Sequence, residues 1–119
     1  SEKDYLEMKR SQFFNGWLLE ISEKHFVGIL AFNIILQELE ILRLGIHPNW
    51  RKKGFAKFML DRLEFLSRKK KVISICLEVH FSNFPAISLY RKNDFRQIGR
   101  RKNYFQSPKG DAILLKKLL

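Results

Sequence analysis

The chain has 119 residues and a formal net charge of +11, from 23 basic and 12 acidic side chains. That size is one domain, and 45% hydrophobic residues supply a core, which excludes a disordered chain. The longest apolar run lies within residues 26–36, broken by Gly28 and Asn33, far below the roughly 20 residues of a membrane-spanning helix.

The opening Ser1-Glu-Lys-Asp-Tyr5 is charged and no apolar segment follows it, so no leader is expected and the cytoplasm is the expected location. The lone Cys76 excludes an intrachain disulfide and reads as an inert thiol in an apolar run. His25, His47 and His80 are widely spaced and no Cys-x-x-Cys occurs, so no metal site is expected. The positive excess suits nucleic acid or a phosphorylated cofactor, although solvated lysines account for it equally well.

In chain order, Ser1 and Asp4 form a capping pattern that predicts a short helix to about Arg10. Strands are expected over residues 16–22, 26–37 and 40–46, the last stopping at His47-Pro48. The period then changes. Phe55, Met59, Leu63 and Leu66 recur at helical spacing, predicting a helix over 55–70, with the cations Arg68 to Lys71 at its favourable C-terminal end. A buried central strand follows over 72–79. Asn83 predicts a helix cap with Pro85 in the first turn, the helix ending near Asn93. Residues 95–105 and 112–118 complete a hairpin around Ser107-Pro108-Lys109-Gly110. The fold class is therefore α/β (α+β): a mixed, mostly antiparallel sheet flanked by helices.

The most informative stretch joins the third strand to the first long helix. Arg51, Lys52 and Lys53 precede Gly54, and a helix opens at once at Phe55, Ala56 and Lys57. Free N–H groups at a helix start, with the positive dipole end behind them, form an anion cradle. Gly54 lets backbone close on a phosphate, and Ala56 keeps the first turn slim. Neither Gly-Lys-Ser/Thr nor Gly-x-Gly-x-x-Gly occurs, so a pyrophosphate here points toward coenzyme A. An ordinary basic strand–helix turn has the same pattern.

Downstream stand Leu77-Glu-Val, Ser82-Asn83, Ala86-x-x-Leu-Tyr90, Asp94-Phe95 and Arg101-Lys-Asn-Tyr-Phe105. Together with the cradle, in order and spacing, they resemble the GNAT acetyltransferases, most closely the ribosomal-protein alanine N-acetyltransferases (RimI type). The resemblance runs from about Leu39 to Leu118. It implies an N-acetyltransferase using acetyl-CoA and no metal. The pantetheine arm would lie along the backbone of Leu44, Gly45 and Ile46. The pyrophosphate would sit at Lys52, Lys53, Gly54, Phe55, Ala56 and Lys57, with Arg51 beside it, and Asn83 would contact the cofactor's arm from the opposite side. Glu78 matches the family's proton acceptor, Tyr90 its proton donor and Tyr104 a tyrosine at the acceptor's entry. Phe105 replaces a second tyrosine, so a hydroxyl that could hold the acceptor backbone is absent. The family carries a further strand and helix before the region that starts at Ser1, and against it the chain is expected to be N-terminally short.

Outside any pattern, Glu78 would read as a salt-bridge partner and Tyr90 as core. Acetyl transfer to an amine requires both residue types. A carboxylate accepts the amine's proton, and a phenol protonates the departing thiolate. The implied acceptor is a protein N-terminal α-amine, for instance a ribosomal protein's alanine. Lysine, a small amine, or a non-catalytic RNA-binding module on the same fold remain alternatives. Monomer and homodimer both remain open.

Overall fold

A computed structural model describes residues 6–119. Among them, seven strands and two α-helices follow in the order β1 (Glu7–Arg10), β2 (Gly16–Ser22), β3 (His25–Ile35), β4 (Glu38–Ile46), α1 (Phe55–Lys69), β5 (Ser74–His80), α2 (Phe84–Lys92), β6 (Arg96–Gln106) and β7 (Lys109–Leu118). They form one sheet in the order β1-β2-β3-β4-β5-β7-β6. Only β4 and β5 are parallel neighbours; the other pairs are antiparallel.

Over its described part, the expected N-terminal helix gives way to a strand. Ser1 and Asp4 lie outside the described residues, and Glu7–Arg10 is an edge strand running antiparallel to β2, from Glu7↔Glu20 to Arg10↔Trp17. So short a helix would carry the full nucleation cost for few bonds, whereas the free edge of β2 offers a ready ladder. Lys9 adds an ion pair to Glu20 at 3.2 Å. The β3–β4 turn also falls earlier than the expected strand end at Gln37. Leu36 takes a left-handed φ of 57° and closes the hairpin, so β4 starts at Glu38.

Strand alternation divides the sheet into two unlike faces. Leu39 and Ile41 of β4 stand opposite Ile75 and Leu77 of β5, and Leu77 and Val79 stand opposite Leu115 and Ile113 of β7. All are buried, and Met59, Leu60 and Leu63 of α1 and Tyr90 of α2 close over them. The connections β4–α1–β5 and β5–α2–β6 advance the same way across the sheet, so the right-handed crossover rule places both helices on this one face. The opposite face presents Glu38, Glu40, Cys76, Glu78, His80 and Lys116, none of them fully buried. A hollow of about 580 Å³ lies on it, between Asn33, Ile35, Glu38, Cys76 and Lys116.

Leu63 is 1% exposed at the α1–sheet contact. Leu63→Ala should cost about 2–5 kcal/mol in urea unfolding. A loss under about 1 kcal/mol would contradict this packing.

Candidate active site

Strands β4 and β5 start as a parallel pair and then separate. Their register runs from Glu38↔Ser74 to Ile41↔Leu77 and stops. Beyond it, residues 42–46 of β4 keep only β3 as a neighbour, and Glu78, Val79 and His80 keep only β7. The divergence begins at a bulge: β3 pairs Phe32 with Ile41 and Ala31 with Arg43, leaving Leu42 as the extra residue. A bulge bends its strand and increases local twist, which turns the end of β4 away from β5. A wedge-shaped gap results at the carboxyl ends of two parallel strands, flanked by the backbone of Leu44, Gly45 and Ile46, all half-buried.

Each strand feeds a helix whose N-terminus lies at this end. After β4, a 3-10 turn at Pro48–Trp50 leads to Gly54, the N-cap of α1, which has a left-handed φ of 84°. Gly54 has no side chain to bond the first-turn N–H groups, and no acidic residue lies in that turn. A Cβ built on Gly54 would meet nothing within 4 Å, so the approach to the amides is open. The start of α2 is closed instead: Asn83 Oδ1 accepts from the Ala86 N–H at 3.3 Å. The α1 terminus thus keeps the electropositive, donor-rich end expected for an anion.

The cations around it divide. Arg51 Nε donates to the Ile46 carbonyl at 3.1 Å and ties the turn back onto β4. Lys57 pairs with Asp61 at 3.0 Å, one turn along α1. Lys52, with a left-handed φ of 61°, and Lys53 are exposed. Phe55 stacks on Trp50 with centroids 6.2 Å apart, stiffening the turn.

Glu78 and Tyr90 approach from different faces. Glu78 lies on the face opposite the helices, its side chain 20% exposed, with Oε1 at 3.4 Å from Arg101 Nη2. Tyr90 is 6% exposed within the core under α2, edge-on to Phe95 at 5.2 Å. Burial pushes its phenol pKa well up, so it stays protonated at any physiological pH. His80 shares the face of Glu78, but its ring is already engaged: Nδ1 accepts from the Ser82 N–H at 3.1 Å and Nε2 lies 3.2 Å from the Pro108 carbonyl. Tyr104 is 48% exposed on β6, under the Arg101 guanidinium at 5.3 Å from the ring centroid. Cys76 is half-buried. Its thiol pKa is pushed up to about 12 by burial and then by Glu38, so it is no nucleophile at neutral pH.

The 580 Å³ hollow lies away from this gap, and its walls hold the Lys116–Glu38 ion pair at 2.8 Å. Glu78 lies instead just beyond the last β4–β5 pair, at the end of the sheet where the gap opens.

A sequence model of the acetyltransferase (GNAT) family matches residues 1–95. The chain belongs to the acetyltransferase (GNAT) family. A [ribosomal protein bS18]-alanine N-acetyltransferase from Haemophilus influenzae is 33% identical over 90 residues, which are 76% of this chain and 61% of that protein. The chain therefore spans less than two thirds of that relative. The crystal structure of the ribosomal-protein-S18-alanine N-acetyltransferase from Escherichia coli superposes with a TM-score of 0.80 at 22% identity, over 92% of this chain and 71% of that one. A GNAT family acetyltransferase from Elizabethkingia anophelis, solved with acetyl-CoA bound, gives 0.80 at 19% identity over 88% and 76%. These likenesses establish the GNAT fold, with the seven strands and two helices described above.

Two contacts around Glu78 and β6 escape a reading by local pattern: Arg101 pairs with Glu78, and Asp111 accepts from Arg100 Nε at 2.7 Å and from the Asn103 N–H at 2.8 Å. The one local signal is Asn103, a residue type that tolerates the left-handed φ of 53° found there. The Asn103 amide, and then Arg100, hold the Asp111 carboxyl below its ordinary value of 3.8. A depressed folded pKa adds stability above the unfolded value and loses it as pH falls through the folded one. Asp111→Asn should therefore destabilise at pH 7, and the difference should shrink as the pH falls below 3.8 in urea unfolding. A difference that stays undiminished as the pH falls would assign the effect to something other than the charge.

Proposed function

We propose that the chain binds acetyl-CoA in the gap between β4 and β5 and transfers its acetyl group directly to a protein N-terminal α-amine, with a ribosomal protein's alanine as the implied acceptor. The observation that carries this reading is the divergence of β4 from β5 beyond Ile41, with an uncapped helix start at the same end. The names of the Haemophilus and Escherichia coli relatives supply the acceptor, and the acetyl-CoA complex of the Elizabethkingia protein supports the cofactor.

The residues present suit such a ligand. Leu44, Gly45 and Ile46 offer strand backbone without a β5 partner, as an amide-bearing pantetheine arm needs. The amides of Phe55, Ala56 and Lys57, with open space above Gly54, suit a pyrophosphate, and Lys52 and Lys53 add positive charge. Arg51 acts on the turn, and Asn83 is engaged as a cap, its side-chain amide N–H groups left free to donate to the cofactor's arm.

Acetyl-CoA supplies an acyl group already activated as a thioester. The amine nitrogen bonds the carbonyl carbon as the carbon–sulfur bond breaks, and no enzyme-bound acyl group is needed. Glu78, directly or through water, takes the proton of the attacking amine; Tyr90 gives a proton to the leaving sulfur. The backbone N–H of Ile46 is the candidate to polarise the carbonyl oxygen. A free α-amine has a pKa about 2.5 below that of lysine, roughly 3.5 kcal/mol less deprotonation cost at neutral pH, which suits a site with one carboxylate. Tyr104, exposed on β6 under the Arg101 guanidinium that pairs with Glu78, would meet the acceptor.

Incubation with acetyl-CoA and peptides bearing free or blocked N-termini, read by mass spectrometry, tests the acceptor class. Acetyl groups on free α-amines are expected; acetylation confined to lysine ε-amines would refute the reading. Tyr90→Phe should lower kcat by about 10²-fold or more with little change in acetyl-CoA affinity. Equal turnover would remove Tyr90 as the acid. Gly54→Val forces a branched residue into left-handed backbone and fills the open approach, so acetyl-CoA affinity should fall by about tenfold or more. Unchanged affinity in calorimetry would move the cofactor elsewhere.

A further inference from the structure

We infer that Asp111 is a positioning residue for the acceptor side of the site: it pins a three-residue bulge in β6 that sets Arg101 against Glu78 and Tyr104 beside that pair. This rests on the proposed roles of Glu78 and Tyr104.

The register of β6 on β7 runs Arg100↔Ile113, Arg101↔Ala112 and then Phe105↔Gly110. Lys102, Asn103 and Tyr104 thus stand opposite Asp111 alone. Extra residues leave a strand free to slip, and in a sheet a one-residue slip exchanges the faces of every side chain that follows. Asp111 blocks this with both oxygens. Oδ2 accepts from Arg100 Nε at 2.7 Å, just before the bulge, and Oδ1 accepts from the Asn103 N–H at 2.8 Å, in its centre. The Asp111 carbonyl also accepts from the Phe81 N–H at 3.0 Å, fixing the same residue to the end of β5.

Holding Arg100 decides where its neighbour goes. Arg100 is drawn to Asp111 on the helix-bearing face, so alternation sends Arg101 to the face of Glu78. There its guanidinium lies 3.4 Å from the carboxylate and over the Tyr104 ring. The Arg101 side chain is 54% exposed, so the pair is solvent-screened and exchangeable. An arriving ammonium takes its place at Glu78, and the guanidinium and phenol remain as a wall for the acceptor backbone. The cofactor's proposed contacts lie on β4, on α1 and at Asn83, whose side chain caps α2 through the Ala86 N–H rather than bonding Asp111. The effect of Asp111 is therefore confined to the acceptor.

Steady-state kinetics with an acceptor peptide, alongside calorimetry with acetyl-CoA, test this in the wild type, Asp111→Ala and Asp111→Asn. Asp111→Ala should raise the peptide KM by about tenfold while acetyl-CoA affinity stays within about twofold. Asp111→Asn, which keeps an acceptor for the Asn103 N–H but loses the charge facing Arg100, should fall between. If the alanine variant does not fold, the asparagine variant decides alone. An unchanged peptide KM, or equal losses for peptide and cofactor, overturns the inference while the wild type's activity stands. A wild type that acetylates no amine overturns the acetyltransferase reading itself, and this inference with it.

Discussion

The parting of two parallel strands governs the remainder of the structure. Backbone amides and carbonyls must find partners, and a continuous β4–β5 ladder would consume those of residues 42–46 internally. The bulge at Leu42 stops the ladder after Ile41, while β3 on one side and β7 on the other keep each strand in the sheet. The opening also joins two faces that an unbroken sheet keeps apart. Glu78 projects on the face without helices, and Tyr90 descends from α2 on the other. A reaction needing a proton acceptor and a proton donor on either side of one carbon fits such a slot.

Electrostatics refine the same place. The net charge of +11 suggests a diffuse basic surface, yet many cations are committed. Lys57 binds Asp61, Lys117 and Arg68 share Glu64, Lys116 binds Glu38, and Arg100 and Arg101 bind Asp111 and Glu78. Each exposed pair adds little stability. What distinguishes the α1 start is geometry: a left-handed glycine, no side-chain cap, no acidic residue, and two exposed lysines in the turn before it.

Local signals in the sequence found what local physics controls. The helical spacing of Phe55, Met59 and Leu63 located α1 to within a residue, and Asn83 with Pro85 marked the start of α2. Gly54 before α1 was legible because its left-handed φ of 84° suits glycine. Over Glu7–Arg10 the expected helix gives way to a strand, because an open strand edge outweighed a capping pattern in so short a segment. Leu36 hid the β3–β4 turn, since leucine rarely takes left-handed backbone. Arg101 and Asp111 were invisible as partners because their roles depend on the register of β6 against β7, a long-range property that no window of sequence contains.

Amide NMR during titration with acetyl-CoA tests the strand gap most directly. Occupation of the gap predicts that the largest shifts fall on Leu44, Gly45 and Ile46 and on Gly54, Phe55, Ala56 and Lys57. Binding that leaves those amides still while moving residues around the Glu38–Cys76 hollow would contradict it.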